Sequence, residues 1–149
     1  MADPSIASSL YYQDPNAALA FLEAAFGFQI SLCIVDETGG ISHSEMTYGN
    51  GRIMVNRAGW SDWAKSPQLL DGANTQSVHL EVDDVEAHYA RAKAAGAVIL
   101  AEPEDQFYGA RSYRARDLEG HFWSISQTTR VFDPVKDMAG TGMKVVDRP

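Results

Sequence analysis

One cysteine, Cys33, stands in 149 residues, so the chain has no intrachain disulfide and no cysteine-built zinc site. Basic residues are also few: 12 Lys and Arg against 20 Asp and Glu leave a formal charge of −8 and a pI near 4.8. Such a chain offers no basic face to neutralise phosphates, which argues against nucleic acid as a partner. No apolar run approaches the roughly 20 residues a membrane helix needs, and no signal peptide or lipidation motif is read, so the expectation is a cytoplasmic protein with no membrane partner. Gly-rich phosphate loops, a nucleophile elbow and a Cys/His pair are missing as well, leaving nucleotide transfer and covalent hydrolysis without a supporting motif. The acidic balance itself serves solubility and singles out no ligand.

What is present is a repeat. Leu10, Asp14, Ala17, Ala20, Ala24 and Ala25 recur about 70 positions on as Leu80, Asp84, Ala87, Ala90, Ala94 and Ala95. Hydrophobic residues make up 45% of the chain, enough for one domain with a core that needs no staples. Two copies of a unit too small to bury its own apolar face must pack together, and a ligand cleft is expected at their seam.

In the first copy a strand over Ser5–Tyr12 meets Asp14, a helix N-cap, and Pro15, suited to the first helical position. Ala18, Phe21, Leu22, Ala25 and Phe26 form an apolar stripe that stops at Gly27. In the second copy Val78, Leu80 and Val82 alternate with Ser77, His79 and Glu81. Asp83 with Glu86 predicts a capping box, Val85, Tyr89 and Ala92 a helical stripe, and Gly96 its end. Extended stretches follow each helix: 29–35, 42–48 and 52–56, then 97–100, 110–116 and 122–127. Each copy therefore reads βαβββ, with hairpin turns at Tyr48–Gly51 and Asp117–Gly120. Module one covers about 5–57, a connection 58–76, and module two about 77–127; a tail over 131–149 lacks periodicity and is expected to order only by docking on a neighbour.

The second copy, with Phe107-Tyr-Gly-Ala-Arg111 and Asp117-Leu-Glu-Gly-His-Phe-Trp-Ser-Ile125, resembles the glyoxalase, bleomycin-resistance and extradiol-dioxygenase superfamily, the vicinal oxygen chelate proteins. The resemblance spans roughly Ile6 to Gln127. It implies an α+β fold in which two βαβββ modules build a curved, mixed but mostly antiparallel sheet with helices outside, the concave face receiving the ligand. Metal-using members carry a His or Gln on a module's first strand and a Glu on its last. The corresponding places here are Ala7 and Ser77, then Val55 and Ser124, none of them a normal ligand for zinc, iron or manganese. The expectation is no metal and no cofactor. The resemblance then points to the antibiotic-binding branch: a homodimer that sequesters a small, aromatic or cationic molecule in a cleft shared by two chains.

By strand alternation Ser9, His43, Glu45, His79, Glu81 and Arg114 share the concave face. A displaced metal site or acid–base pair at His43, Glu45 and His79 would instead make the chain a lyase, isomerase or dioxygenase, with Glu45 and His79 as the catalytic candidates. The plainer alternatives are a hydrogen-bonded His79 on a half-buried strand and an ion pair from Glu45 to Arg114 or Arg111. Trp60, Trp63, Phe107 and Tyr108 are candidates for an aromatic wall around a flat or cationic ligand, whereas Trp123 points toward the helices and reads as core. His121 at its hairpin and His88 in its helix are expected to face solvent.

Overall fold

Two helices begin on aspartates at equivalent places in the repeat. Asp14 accepts from the Ala17 N–H at 3.0 Å ahead of α1 (Pro15–Phe26), and Asp84 accepts from the Ala87 N–H at 3.0 Å ahead of α2 (Val85–Ala94). The second cap is thus Asp84 rather than Asp83, because the backbone is still extended at residue 84 (φ −139°, ψ 95°) and turns helical only at Val85. Gly27 ends α1 in the left-handed conformation, and Gly96 takes the same conformation just beyond α2.

The computed structural model describes residues 4–148. Around α1 stand β1 (Ser8–Tyr12), β2 (Gln29–Val35), β3 (Ile41–Tyr48) and β4 (Gly51–Arg57); around α2 stand β5 (Val78–Glu81), β6 (Val98–Gln106), β7 (Ala110–Arg116) and β8 (Phe122–Thr128). They form two four-stranded sheets in the orders β1-β4-β3-β2 and β5-β8-β7-β6, parallel only where the first strand of a module meets its last. Register repeats as well: Leu10 lies opposite Val55, and Leu80 opposite Ile125. The expected βαβββ duplication and α+β class therefore hold.

The differences are local. β6 runs on to Gln106 through Pro103, because a register shift between Ala101 and Glu104 accommodates the residue that cannot donate to a ladder. The tail makes a turn closed by Arg130, whose guanidinium donates to Asp137 at 2.7 Å and to the Phe107 carbonyl at 2.8 Å. Its Asp133 side chain accepts from Val135 N and Lys136 N.

One core serves both modules. Leu10, Tyr12, Leu22, Phe26, Met46 and Val55 of the first join Leu80, Val85, Tyr113, Trp123 and Ile125 of the second. Phe26 and Phe28 approach Trp123 with ring centroids 4.9 and 5.7 Å away, so Trp123 is core as expected. At this helix junction His88 is buried, not solvent-facing: one ring nitrogen lies 2.7 Å from the Tyr113 hydroxyl and the other 3.0 Å from the Phe26 carbonyl. Burial lowers its pKa below that of a free histidine and raises that of Tyr113. Arg91 of α2 donates to the carbonyls of Glu23 and Ala24, covering the open end of α1.

The hairpin at residues 117–121 does more than turn the chain. Asp117, buried, accepts from the Tyr12 hydroxyl at 2.7 Å, Trp123 Nε1 at 3.1 Å, and the backbone N–H groups of Glu119 and His121. Burial first, then the Asp117 carboxylate, pushes the Tyr12 phenol well above its usual range, which keeps it a donor. Glu119 accepts from Gln13 N at 2.8 Å and Asp14 N at 2.9 Å, and from the Ser66 hydroxyl. His121 is also buried rather than exposed, with Nε2 2.8 Å from the Tyr11 carbonyl. Module two thus inserts a polar hairpin into the start of module one, and its buried groups all find partners.

Candidate functional site

The faces of the first sheet sort by alternation. Leu10, Tyr12, Ser44, Met46, Ile53 and Val55 are buried toward the helices, which leaves Ser9, Tyr11, His43, Glu45, Arg52, Met54 and Asn56 half-buried on the open face. Register then brings these together across three strands. Asn56 Nδ2 donates to Ser9 Oγ at 3.0 Å, Asn56 Oδ1 lies 3.1 Å from His43 Nδ1, His43 Nε2 lies 3.1 Å from Glu45 Oε1, and Arg52 reaches Glu45 Oε2 at 3.4 Å. The result is one polar chain, Ser9–Asn56–His43–Glu45–Arg52. As placed, both His43 nitrogens face oxygen acceptors, an arrangement satisfied by a doubly protonated ring; turning the Asn56 amide over would satisfy the neutral ring. The partner of Glu45 is Arg52 on the neighbouring strand, not Arg114 or Arg111. Arg111 is engaged instead by Glu86 at 2.6 Å and Asp105 at 3.1 Å.

Aromatic side chains border this face. Tyr11 meets Trp63 edge-on at 5.6 Å, Trp60 lies 6.5 Å from Tyr11, and the two indoles pack edge to face at 4.9 Å. Both tryptophans are nevertheless about two-thirds exposed, at 63% and 64%. A cleft of about 470 Å³ runs between Trp60, Tyr11, His43, Asn56, Asp36 and Arg57. A smaller one of about 210 Å³ on the far side of Tyr11 is bounded by Ser9, Trp63, Lys65 and Gln76. Phe107 and Tyr108, in contact with each other at 5.2 Å, stand half-exposed on the β6–β7 hairpin of module two. The open face of that module carries His79, Glu81, Arg114 and Ser124, with Ser77 just ahead of β5. Among the described residues His79 pairs with its strand neighbour Glu81, at 3.9 Å, and forms no cluster with His43 and Glu45 that could hold a metal ion.

Sequence reasoning missed Tyr11, Arg52 and Asn56. Their alternation with the apolar Leu10, Ile53 and Val55 was the available signal, but what they touch depends on a cross-strand register that one strand alone does not reveal.

The profile of the Glyoxalase/Bleomycin resistance protein/Dioxygenase superfamily matches residues 5–125. The chain belongs to that superfamily. Among solved structures, TioX from Micromonospora sp. ML1 is 31% identical with a TM-score of 0.67, covering 84% of this chain and 98% of its own. TnmS3, an antibiotic binding protein from Streptomyces sp. CB03234, shares the fold at 18% identity and a TM-score of 0.66, covering 86% of this chain and 98% of its own. The uncharacterized protein Mb0911c of Mycobacterium bovis is 29% identical over 133 residues, 86% of each chain.

The metal that parts of the superfamily use is not matched by the donors here. Val55 is fully buried toward α1, so the open-face residues of β4 on either side of it are Met54 and Asn56; Ala7 lies ahead of β1, whose open-face residue paired with Met54 is Ser9. The equivalent set in module two is His79 with Ser124 and Ser126. Thioether, hydroxyls, one amide and one imidazole, divided between two sheets, do not make a first coordination shell for a divalent ion. Among the described residues no three His, Cys, Asp or Glu side chains gather to hold one.

Proposed function

We propose that this superfamily member captures a small, flat organic molecule, aromatic or cationic, in the cleft at Tyr11, Trp60 and Trp63, without a resident metal. The observation that carries the reading is the pair of tryptophans: folding leaves two large indoles in water beside a half-buried polar network, where ring faces attract flat and cationic groups. The fold shared with an antibiotic binding protein is in keeping with it. The binding unit is the domain of residues 1–130, with 131–149 as an appended tail, and the protein works in the cytoplasm as a homodimer. Strands β2 and β6 are exposed edges bearing Ile30, Leu32, Ile34, Val98 and Leu100, a surface suited to a second copy. In that assembly His79, Arg114, Ser77, Ser124, Phe107 and Tyr108 of one copy complete the cleft of the other. No helix among the described residues is long and apolar enough to cross a membrane.

A second reading, acid–base catalysis by a lyase or isomerase, is favoured by one contact, the 3.1 Å approach of His43 to Glu45. Titration with a planar aromatic cation such as acridine orange, followed by tryptophan fluorescence, separates the two. Saturable quenching that weakens at least tenfold in Trp60→Ala or Trp63→Ala supports capture, and absence of saturable binding overturns it. Chemical conversion of the bound molecule that is lost in Glu45→Gln moves the assignment to the second reading. Native mass spectrometry of the same sample reports the dimer and any bound metal.

A further inference from the structure

A third cleft, of about 490 Å³, is lined by the segment Gly72–Ser77 together with Arg116 and Phe122 of module two. Arg116 combines a buried Nε with no side-chain partner among the described residues. Arg52, Arg111 and Arg130 are held by carboxylates and Arg91 by the carbonyls at the end of α1. Arg116 has no ion pair among the described residues, donates no hydrogen bond, and has its Nε shut off from water without an acceptor. A half-buried guanidinium with unused donors is a standing cost to the fold.

The surroundings keep room for it. A Cβ on Gly72 would come 2.8 Å from Arg116 Nη1 and one on Gly120 4.0 Å from it, so the guanidinium sits in a slot between two glycines, both at positive φ. Asn74 fixes the wall of the slot: its side-chain nitrogen donates to the carbonyls of Gly72 and Gly120 at 3.2 and 3.0 Å, and its oxygen accepts from Phe122 N at 3.0 Å. Asn74 Oδ1 is turned to Phe122 N and makes no hydrogen bond to Arg116. What remains is a forked donor whose Nε is walled off and whose outer nitrogens have no protein acceptor among the described residues, on the lining of a polar cleft.

We infer that Arg116, in the slot between Gly72 and Gly120, binds a small carboxylate. A planar carboxylate matches the two outer guanidinium nitrogens in a bidentate pair. A single cation within a chain of charge −8 compensates one negative charge, which favours a monoanion over inorganic phosphate. This site shares no lining residue with the larger aromatic cleft at Trp60 and His43, and only the segment 73–76 separates it from the smaller one beside Trp63.

The Nε–H resonance of Arg116, assigned by its loss in Arg116→Gln, is followed while sodium acetate is added to the whole protein at constant ionic strength, with sodium chloride and sodium phosphate as parallel additions. The expected result is a saturable shift with acetate alone, at millimolar concentration. Arg116→Lys, which keeps the charge and loses the fork, should retain the fold and weaken acetate binding at least fivefold, read from the backbone amides of residues 72–77. No shift, an equal shift with chloride, tighter binding of phosphate, or unchanged acetate binding in Arg116→Lys each overturns the assignment.

Discussion

Asp117 ties the two modules together. It receives four hydrogen bonds in a site closed to water, two from side chains of different modules and two from its own hairpin. Asp117→Asn replaces one acceptor oxygen by a donor facing donors, and the expected loss is roughly 3 kcal/mol of stability. Tyr12→Phe removes a single donor and should cost about 1.5 kcal/mol. Urea denaturation of both single variants and the double checks this, and the double should cost less than the sum because the two share one contact. His88 makes a different prediction. Burial lets the folded ring bind a proton less readily than the unfolded ring, so the unfolded chain takes up more protons as pH falls below 6.5, the value of the free side chain. Stability from this group is complete above that pH and is lost as pH drops through the lower pKa of the folded ring. Urea midpoints from pH 7.5 to 5 should therefore fall, and His88→Gln should flatten part of that slope.

At the scale of elements, the sequence announces where chains start and stop but not what they meet. Asp14 with Pro15, the stripe ending at Gly27, and the alternation from Val78 to Val82 each reflect a local rule, and each reappears in the structure. Gly27 illustrates how tightly such a stop is built. Its φ is +78°, and a Cβ there would lie 2.9 Å from the Arg91 guanidinium that covers the end of α1. Gly27→Ala is expected to cost roughly 1–2 kcal/mol through the left-handed backbone, more if Arg91 must leave its carbonyls. Thermal unfolding measures it, and Gly39→Ala, with open space around it at φ +83°, isolates the backbone part. The hairpin at 117–121 shows the opposite limit. Asp, Glu, Gly and His, with one leucine among them, have the composition of an exposed turn; only the arrival of Tyr12, Gln13 and Ser66 from elsewhere makes them interior. Likewise His43 and Glu45 were legible as neighbours on one face, whereas Asn56 and Arg52 joined them through pairing between strands.

For the molecule as a whole, duplication gives both sheets one strand order and one register, yet the two halves have diverged in what they expose. The first module keeps a connected polar chain under two tryptophans. The second keeps serines, a separate His79–Glu81 pair and the unpaired Arg116. A binding cleft in such a protein is inherited as geometry and specified by a few substitutions on the open face, which explains why the superfamily is recognisable in the sequence while the ligand is not.

The asymmetry between the two equivalent hairpins has a practical side. Tyr48–Gly51 turns in water, with Gly49 and Asn50 exposed and nothing close to Gly49, whereas Asp117–Gly120 is a plug set into the opposite half. A guest peptide or reporter domain spliced between Gly49 and Asn50 should leave the host intact, with its melting temperature lowered by only a few degrees. The same graft between Leu118 and Glu119 should split the halves apart and give an insoluble product. An ancestral duplication has thus left this chain with one doorway and one keystone at places that once were the same.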